Sequence, residues 1–147
     1  MSIVIGVDPD SEKHGVAVYD NNQLVSLLCD DLFGIADILR HYLDRNPVVH
    51  IENVNGVSAS FMARDKKASQ AVKLKMAQHI GRCKQAQLEV ERICNHLGVK
   101  VVHHKISKKW KKADKEQFKR LTGWTGRSNE DTRSAAWFGY LGVNAKN

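Results

Sequence analysis

No stretch of the 147-residue chain is apolar for long enough to cross a bilayer as a helix. The N-terminus also lacks a charged segment followed by an apolar run, so the expectation is a soluble, unexported protein of the cytoplasm. Cysteine is scarce: Cys29, Cys83 and Cys94 are odd in number and form no C-x-x-C pair. That argues against a zinc or disulfide framework and for buried thiols in a reducing compartment. Repeats, low-complexity tracts and an interdomain linker are missing as well. A chain of this length with 42% hydrophobic residues is expected to form one domain, residues 1–147, with a substantial core.

Negative charge is scarce in one region only. Residues 64–127 carry 18 Lys and Arg against 5 Asp and Glu, whereas residues 1–63 carry 3 against 9, within a total net charge of +7. An acidic segment beside a strongly basic one suggests a polyanion held near a cation-binding site, with nucleic acid the natural partner. A merely solvated basic face is the ordinary alternative.

The elements read as follows. "SIVIGVD" is a short β-branched run that ends in Asp8 and the breaker Pro9, and three strands are expected near 2–8, 14–20 and 23–29. "DNNQ" supplies the turn of an antiparallel hairpin between the second and third. "DDLFGIADILRHYLDRN" has helical spacing at Leu32, Ile35, Ile38, Leu39 and Leu43. "VVHIEN" after Pro47 is a fourth strand ending in Glu52, and a loop through "NVNGVSASFMARDKK" leads to a long helix near 68–97 capped by Gly98. Its Met and Val stripe (Val72, Met76, Ile80, Cys83, Val90, Cys94, Leu97) is expected to be mostly core, with some surface spared for a partner subunit. "VKVVHH" is a fifth strand, "KKWKKADKEQFKRLTG" a basic helix, and "SNEDTRSAAWFGYLG" a last helix opened by Ser128 or Asn129. The order βββαβαβαα indicates an α/β fold with one mixed sheet covered by helices.

Acids fall at element ends: Asp8 closes the first strand, Glu52 the fourth, and Glu130 and Asp131 open the last helix. Each alone has a plain explanation in turn, strand-end or capping chemistry. Together, two strands leaving one sheet edge would place Asp8 beside Glu52, and a helix packed over that edge would add Asp131. Clustered carboxylates call for a cation, and hard oxygen donors select Mg²⁺ or Mn²⁺ over zinc. Two such ions about 4 Å apart would suit phosphodiester hydrolysis.

These motifs resemble a known family. The chain is similar over nearly its whole length to RuvC-type Holliday-junction resolvases of the RNase H-like fold. "IGVDPDSEKHGVAVYD" resembles the opening hairpin with its metal-ligating Asp8, and "VHIENV" the fourth strand with the catalytic Glu52. "SFMARDKKASQAVKL" is similar to the segment in which an aromatic, here Phe61, enters the junction beside a basic helix. "SKKWKK" is similar to the Lys-bearing segment of phage-type relatives, matching Trp110 and Lys111. "NEDTRSAAWFGYLG" resembles the terminal acidic helix, where two ligands stand three residues apart on one face. Asp131 fills the first place, but Ser134 stands where the family usually has Asp, so Glu130 compensates, a water fills in, or activity is reduced. The loop between Glu52 and Phe61 is also longer. YqgF-type relatives and actin-like ATPases share parts of the opening motif; Glu52 together with the "NED" helix favours the resolvase.

The resemblance implies a homodimer that cleaves four-way DNA junctions by symmetric nicks with two Mg²⁺ ions, Mn²⁺ being a possible substitute. Asp8, Glu52, Asp131 and Glu130 would be ligands and catalytic residues, Ser134 a further metal ligand, and Lys111 a catalytic residue and phosphate contact. DNA binding would draw on Phe61, Arg64, Lys66, Lys67, Lys73, Lys108, Lys109, Trp110 and Lys111. Phe61 also reads as a loop anchor, Trp110 equally as core, Lys111 as a solvated lysine, and His103 and His104 as structural. A branched-DNA-binding protein that has lost catalysis through Ser134, and a YqgF-like RNA-processing nuclease, are the rival readings.

Overall fold

A computed structural model describes residues 2–56 and 69–145. Strands β1 (Ile3–Asp8), β2 (His14–Asp20), β3 (Gln23–Asp30), β4 (Val48–Glu52) and β5 (Lys100–His104) form one sheet in the order β3-β2-β1-β4-β5. The first three are an antiparallel meander, while β4 runs parallel to β1 and β5 parallel to β4. Asn21 and Asn22 turn the β2–β3 hairpin at φ 54° and 69°, the left-handed pair that a two-residue turn matched to strand twist requires. Helices α1 (Leu32–Tyr42), α2 (Gln70–Leu97), α3 (Lys115–Thr122) and α4 (Glu130–Asn144) cover the sheet. This is the expected α/β architecture, with a five-stranded mixed sheet flanked by helices.

Strand alternation decides which helix each side chain meets. On one face Ile3, Ile5, Val7, Val16, Val18, Val49 and Ile51 pack with Ile35 and Leu39 of α1 and Val90 and Cys94 of α2. On the other, Val4, Ala17 and Tyr19 pack with Ala135 and Ala136 of α4 and Phe118 of α3. Gly6 and Asp8 share Val4's parity and so belong to the α4 side. A Cβ on Gly6 would stand 2.0 Å from the Ala135 carbonyl oxygen, and one on Gly15 2.2 Å from that of Asp131. These two glycines are what allow α4 to lie directly on β1 and β2. The Tyr19 hydroxyl fixes the seat by donating to the Ala136 carbonyl at 2.7 Å.

The helix entries follow local chemistry. Asn129, rather than Ser128, caps α4 in a reciprocal pair with Thr132. Asp114 and Gln117 form the same device at α3, which explains a departure from expectation. The basic helix expected over 108–123 begins only at Lys115, because the stretch before that cap turns, with Trp110 at φ 67°. Helix α2 starts at Ser69 and stops at Gly98, which is left-handed at φ 74°. Its stripe is core only in part: Cys83, Val90 and Cys94 are buried, but Val72 is 46% exposed. Cys29 is exposed, so the buried-thiol expectation holds for two of the three cysteines.

Candidate active site

Parallel pairing of Val7 with Ile51 brings the next residue on each strand, Asp8 and Glu52, out of the sheet together. Both are buried, at 4% and 7% exposure. Burial raises the Asp8 carboxyl to about 6, opposed by Lys111 and reinforced by Asp131 and Asp10. Burial and the neighbouring Asp8 raise Glu52 to about 7, again opposed by Lys111. Asp131, in the first turn of α4, is raised by burial and by Asp10. Ser134, one helical turn further on, is completely buried and lies close enough to favour the Asp8 carboxylate. Its hydroxyl is not in hydrogen-bonding geometry, however. Among the described residues, Ser134 Oγ and Asp8 Oδ2 are buried without a hydrogen-bond partner.

Lys111 supplies the opposing charge. Its ammonium stands 3.7 Å from Asp8 Oδ2. Its own burial would lower its pKa, but Asp8, Glu52, Asp131 and Glu130 outweigh that and hold it above the usual lysine value. The backbone there is braced from α4: the Arg133 guanidinium donates to the Lys111 carbonyl through Nε at 3.0 Å and through a terminal nitrogen at 2.8 Å. Trp110 beside it packs against Phe118, Trp137 and Tyr140 with ring centroids 5.0–6.0 Å apart. The tryptophan therefore anchors the segment, and the left-handed turn at Trp110 leads to Lys111, whose side chain reaches the acids.

Among the described residues, Lys111 by itself does not balance Asp8, Glu52, Asp131 and Asp10. Excess carboxylate, an all-oxygen donor set and two buried oxygens without hydrogen-bond partners would suit a hard divalent cation, which Asp8 and Glu52, with Asp131 and Ser134 nearby, would hold.

Other expected residues are placed differently. Glu130 pairs with Lys112 at the surface, which lowers its pKa. Lys108 and Lys109 are exposed, and Lys109 Nζ lies 5.8 Å over the Trp137 ring. With Lys112 and Arg120 they line an open groove of about 630 Å³ beside Trp110. Lys73 is half-buried near the start of α2. Phe61, Arg64, Lys66 and Lys67 lie outside the described residues. His104 meets His50 at 2.8 Å on the α4 face, and His103 meets Glu91 at 3.4 Å on the other. Asp10, Arg133, Lys112 and Arg120 were not singled out in the sequence. Asp10 carried a usable signal, as a second acid just past the strand end; Arg133 carried none, because its partner is a backbone carbonyl 22 positions away.

No family model and no curated relative matches the chain. Solved structures do. A structure of Thermus thermophilus RuvC in complex with a Holliday junction substrate matches with TM-score 0.62 at 12% identity, over 95% of this chain and 91% of that one. The chain shares its fold with RuvC. A second T. thermophilus RuvC structure matches with TM-score 0.56 at 13% identity, covering 97% and 95% of the two chains. At this identity the likeness to RuvC is one of fold.

Proposed function

We propose that this protein is a metal-dependent endonuclease that resolves four-way DNA junctions. The observation that carries the reading is the meeting of Asp8 and Glu52 at adjacent strand ends under Asp131, in a fold matched by RuvC bound to a Holliday junction. Asp8, Glu52 and Asp131 would hold two Mg²⁺ or Mn²⁺ ions. Bound there, such ions activate a water and stabilise the leaving oxygen of a phosphodiester. The chain's own part is to position. Lys111, braced by Arg133 and Trp110, presents its ammonium where a scissile phosphate would approach. Lys108, Lys109, Lys112 and Arg120 offer a phosphate track along their groove. The pairing of two symmetric nicks calls for a homodimer. No described helix is long and apolar enough to cross a membrane, and a cytoplasmic site of action accords with the reading.

Ser134 favours a second reading, a junction-binding protein of reduced activity, because it brings no charge to a position facing Asp8. A synthetic immobile four-way junction and a linear duplex of the same sequence separate the two. The nuclease cuts the junction only with Mg²⁺ or Mn²⁺ and leaves the duplex whole. Tight junction binding without cleavage in either metal would establish the binding module, and cleavage confined to RNA the RNA-processing rival. In the nuclease, Ser134→Asp lowers the Mg²⁺ concentration needed for half-maximal rate.

A further inference from the structure

Beside the carboxylate cluster lies a second, chemically different group. His79 and Cys83 are four residues apart on α2, so both side chains project from one face toward the segment after β1. There they meet Asp10. Cys83 Sγ is 3.6 Å from His79 Nε2 and 3.8 Å from Asp10 Oδ1, and His79 Nε2 is 3.8 Å from the same oxygen. Three donors around one tetrahedral zinc, at ordinary bond lengths, stand about 3.4–3.6 Å from one another. The triangle here is that size to within a few tenths of an ångström.

From this geometry we propose that Asp10, His79 and Cys83 form a binding site for a zinc-class divalent ion, adjoining the carboxylate cluster of Asp8, Glu52 and Asp131 but with a different donor set. The donors decide the class: a thiolate and an imidazole select zinc or cobalt over magnesium. Exposure decides the form. Cys83 is buried, Asp10 half-exposed and His79 60% exposed, so three protein ligands close one side and the fourth position opens to solvent. Asp10 is already held in place, since its Oδ1 accepts from Ser11 N at 2.7 Å and its own N–H donates to His14 Nδ1 at 3.0 Å. The ion enters as the dication, Cys83 releases its thiol proton, and no redox change occurs. It would clamp the β1–β2 connection onto α2. The absence of a C-x-x-C pair does not bear on such a site, because its donors come from two elements far apart in the chain.

The site does not depend on the nuclease reading, and its test does not read cleavage. Metal-free full-length protein titrated with Co²⁺ is expected to develop a thiolate-to-cobalt charge-transfer band saturating at one ion per chain, undiminished by a large excess of Mg²⁺. The band survives Cys29→Ser and Glu52→Gln, and disappears in Cys83→Ser. Because Cys83 is buried and its replacement threatens the fold, His79→Ala at the exposed ligand is the deciding variant. It should weaken Co²⁺ binding by more than about tenfold, since loss even of a ligand's outer partner costs about 10–100-fold. Absence of the band, its loss in Cys29→Ser, or unchanged affinity in His79→Ala would overturn the proposal.

Discussion

The two faces of the sheet are drawn from the same strands, yet they are built for different ends. Toward α1 and α2, β1 and β4 present Ile3, Ile5, Val7, Val49 and Ile51, all buried and all aliphatic. Toward α4 the same strands present Val4, Gly6 and Asp8, then Val48, His50 and Glu52, polar but for the glycine and the two valines. The first face lowers the free energy of the chain by removing apolar surface from water. The second uses that stability to hold two carboxyls where their charged forms are disfavoured, with pKa values raised by burial. A group whose environment opposes its charge is a candidate for function.

Substitutions should separate the two faces. The largest effect is expected at Asp8. Asp8→Asn removes the ligand central to the proposed metal site and should lower junction cleavage by about a hundredfold or more, while junction binding in a mobility-shift assay stays intact or tightens. Unchanged cleavage would return Asp8 to a turn residue. Leu39→Ala, in the core of the opposite face, should cost about 2–5 kcal/mol in denaturant unfolding while cleavage per folded molecule is preserved.

Gly6→Ala tests the seam between sheet and α4. The added methyl meets backbone atoms of Ala135 and Gly139, which cannot rotate away, so a loss of about 1–3 kcal/mol is expected together with weaker metal-dependent cleavage. A neutral Gly6→Ala would show that the helix can lift without consequence for the acids. The smallest effect has the opposite sign. Glu52 is raised from 4.5 to about 7, so its favourable contribution is complete below pH 4.5 and lost as pH rises through about 7. In EDTA above that pH, Glu52→Gln should therefore be more stable than the parent by about 1–3 kcal/mol, with little gain near pH 4.5. Added Mg²⁺ should stabilise the parent and narrow the gap. Equal melting temperatures across the pH range would mean that Glu52 is not under electrostatic pressure.

Much of this was legible in the residues. Alternation and β-branched runs mark the strands, Asn129 marks a helix entry, and Gly98 marks an exit, because each signal acts over a few bonds. The α3 boundary was misjudged where a basic helical pattern ran through a capping residue, a case in which local capping overrides periodicity. The apolar stripe of α2 overstated burial because periodicity shows which face is apolar and not what covers it. The strand-end acids were visible as a set, although composition could say only that a basic protein had kept them at element ends.

What the sequence by itself determined is the secondary structure and the parity that sends Asp8 and Glu52 to one face. Only the tertiary structure decided their company. Helix α4 reaches them because Gly6 and Gly15 leave no Cβ in its path. Lys111 reaches them because a left-handed turn at Trp110, packed on aromatics and braced by Arg133, aims it inward. Asp10 meets His79 and Cys83 across more than sixty intervening residues. Such contacts join groups whose chain separation exceeds the reach of any backbone preference. They form only when burial of the apolar faces brings the elements together, and no local pattern encodes them.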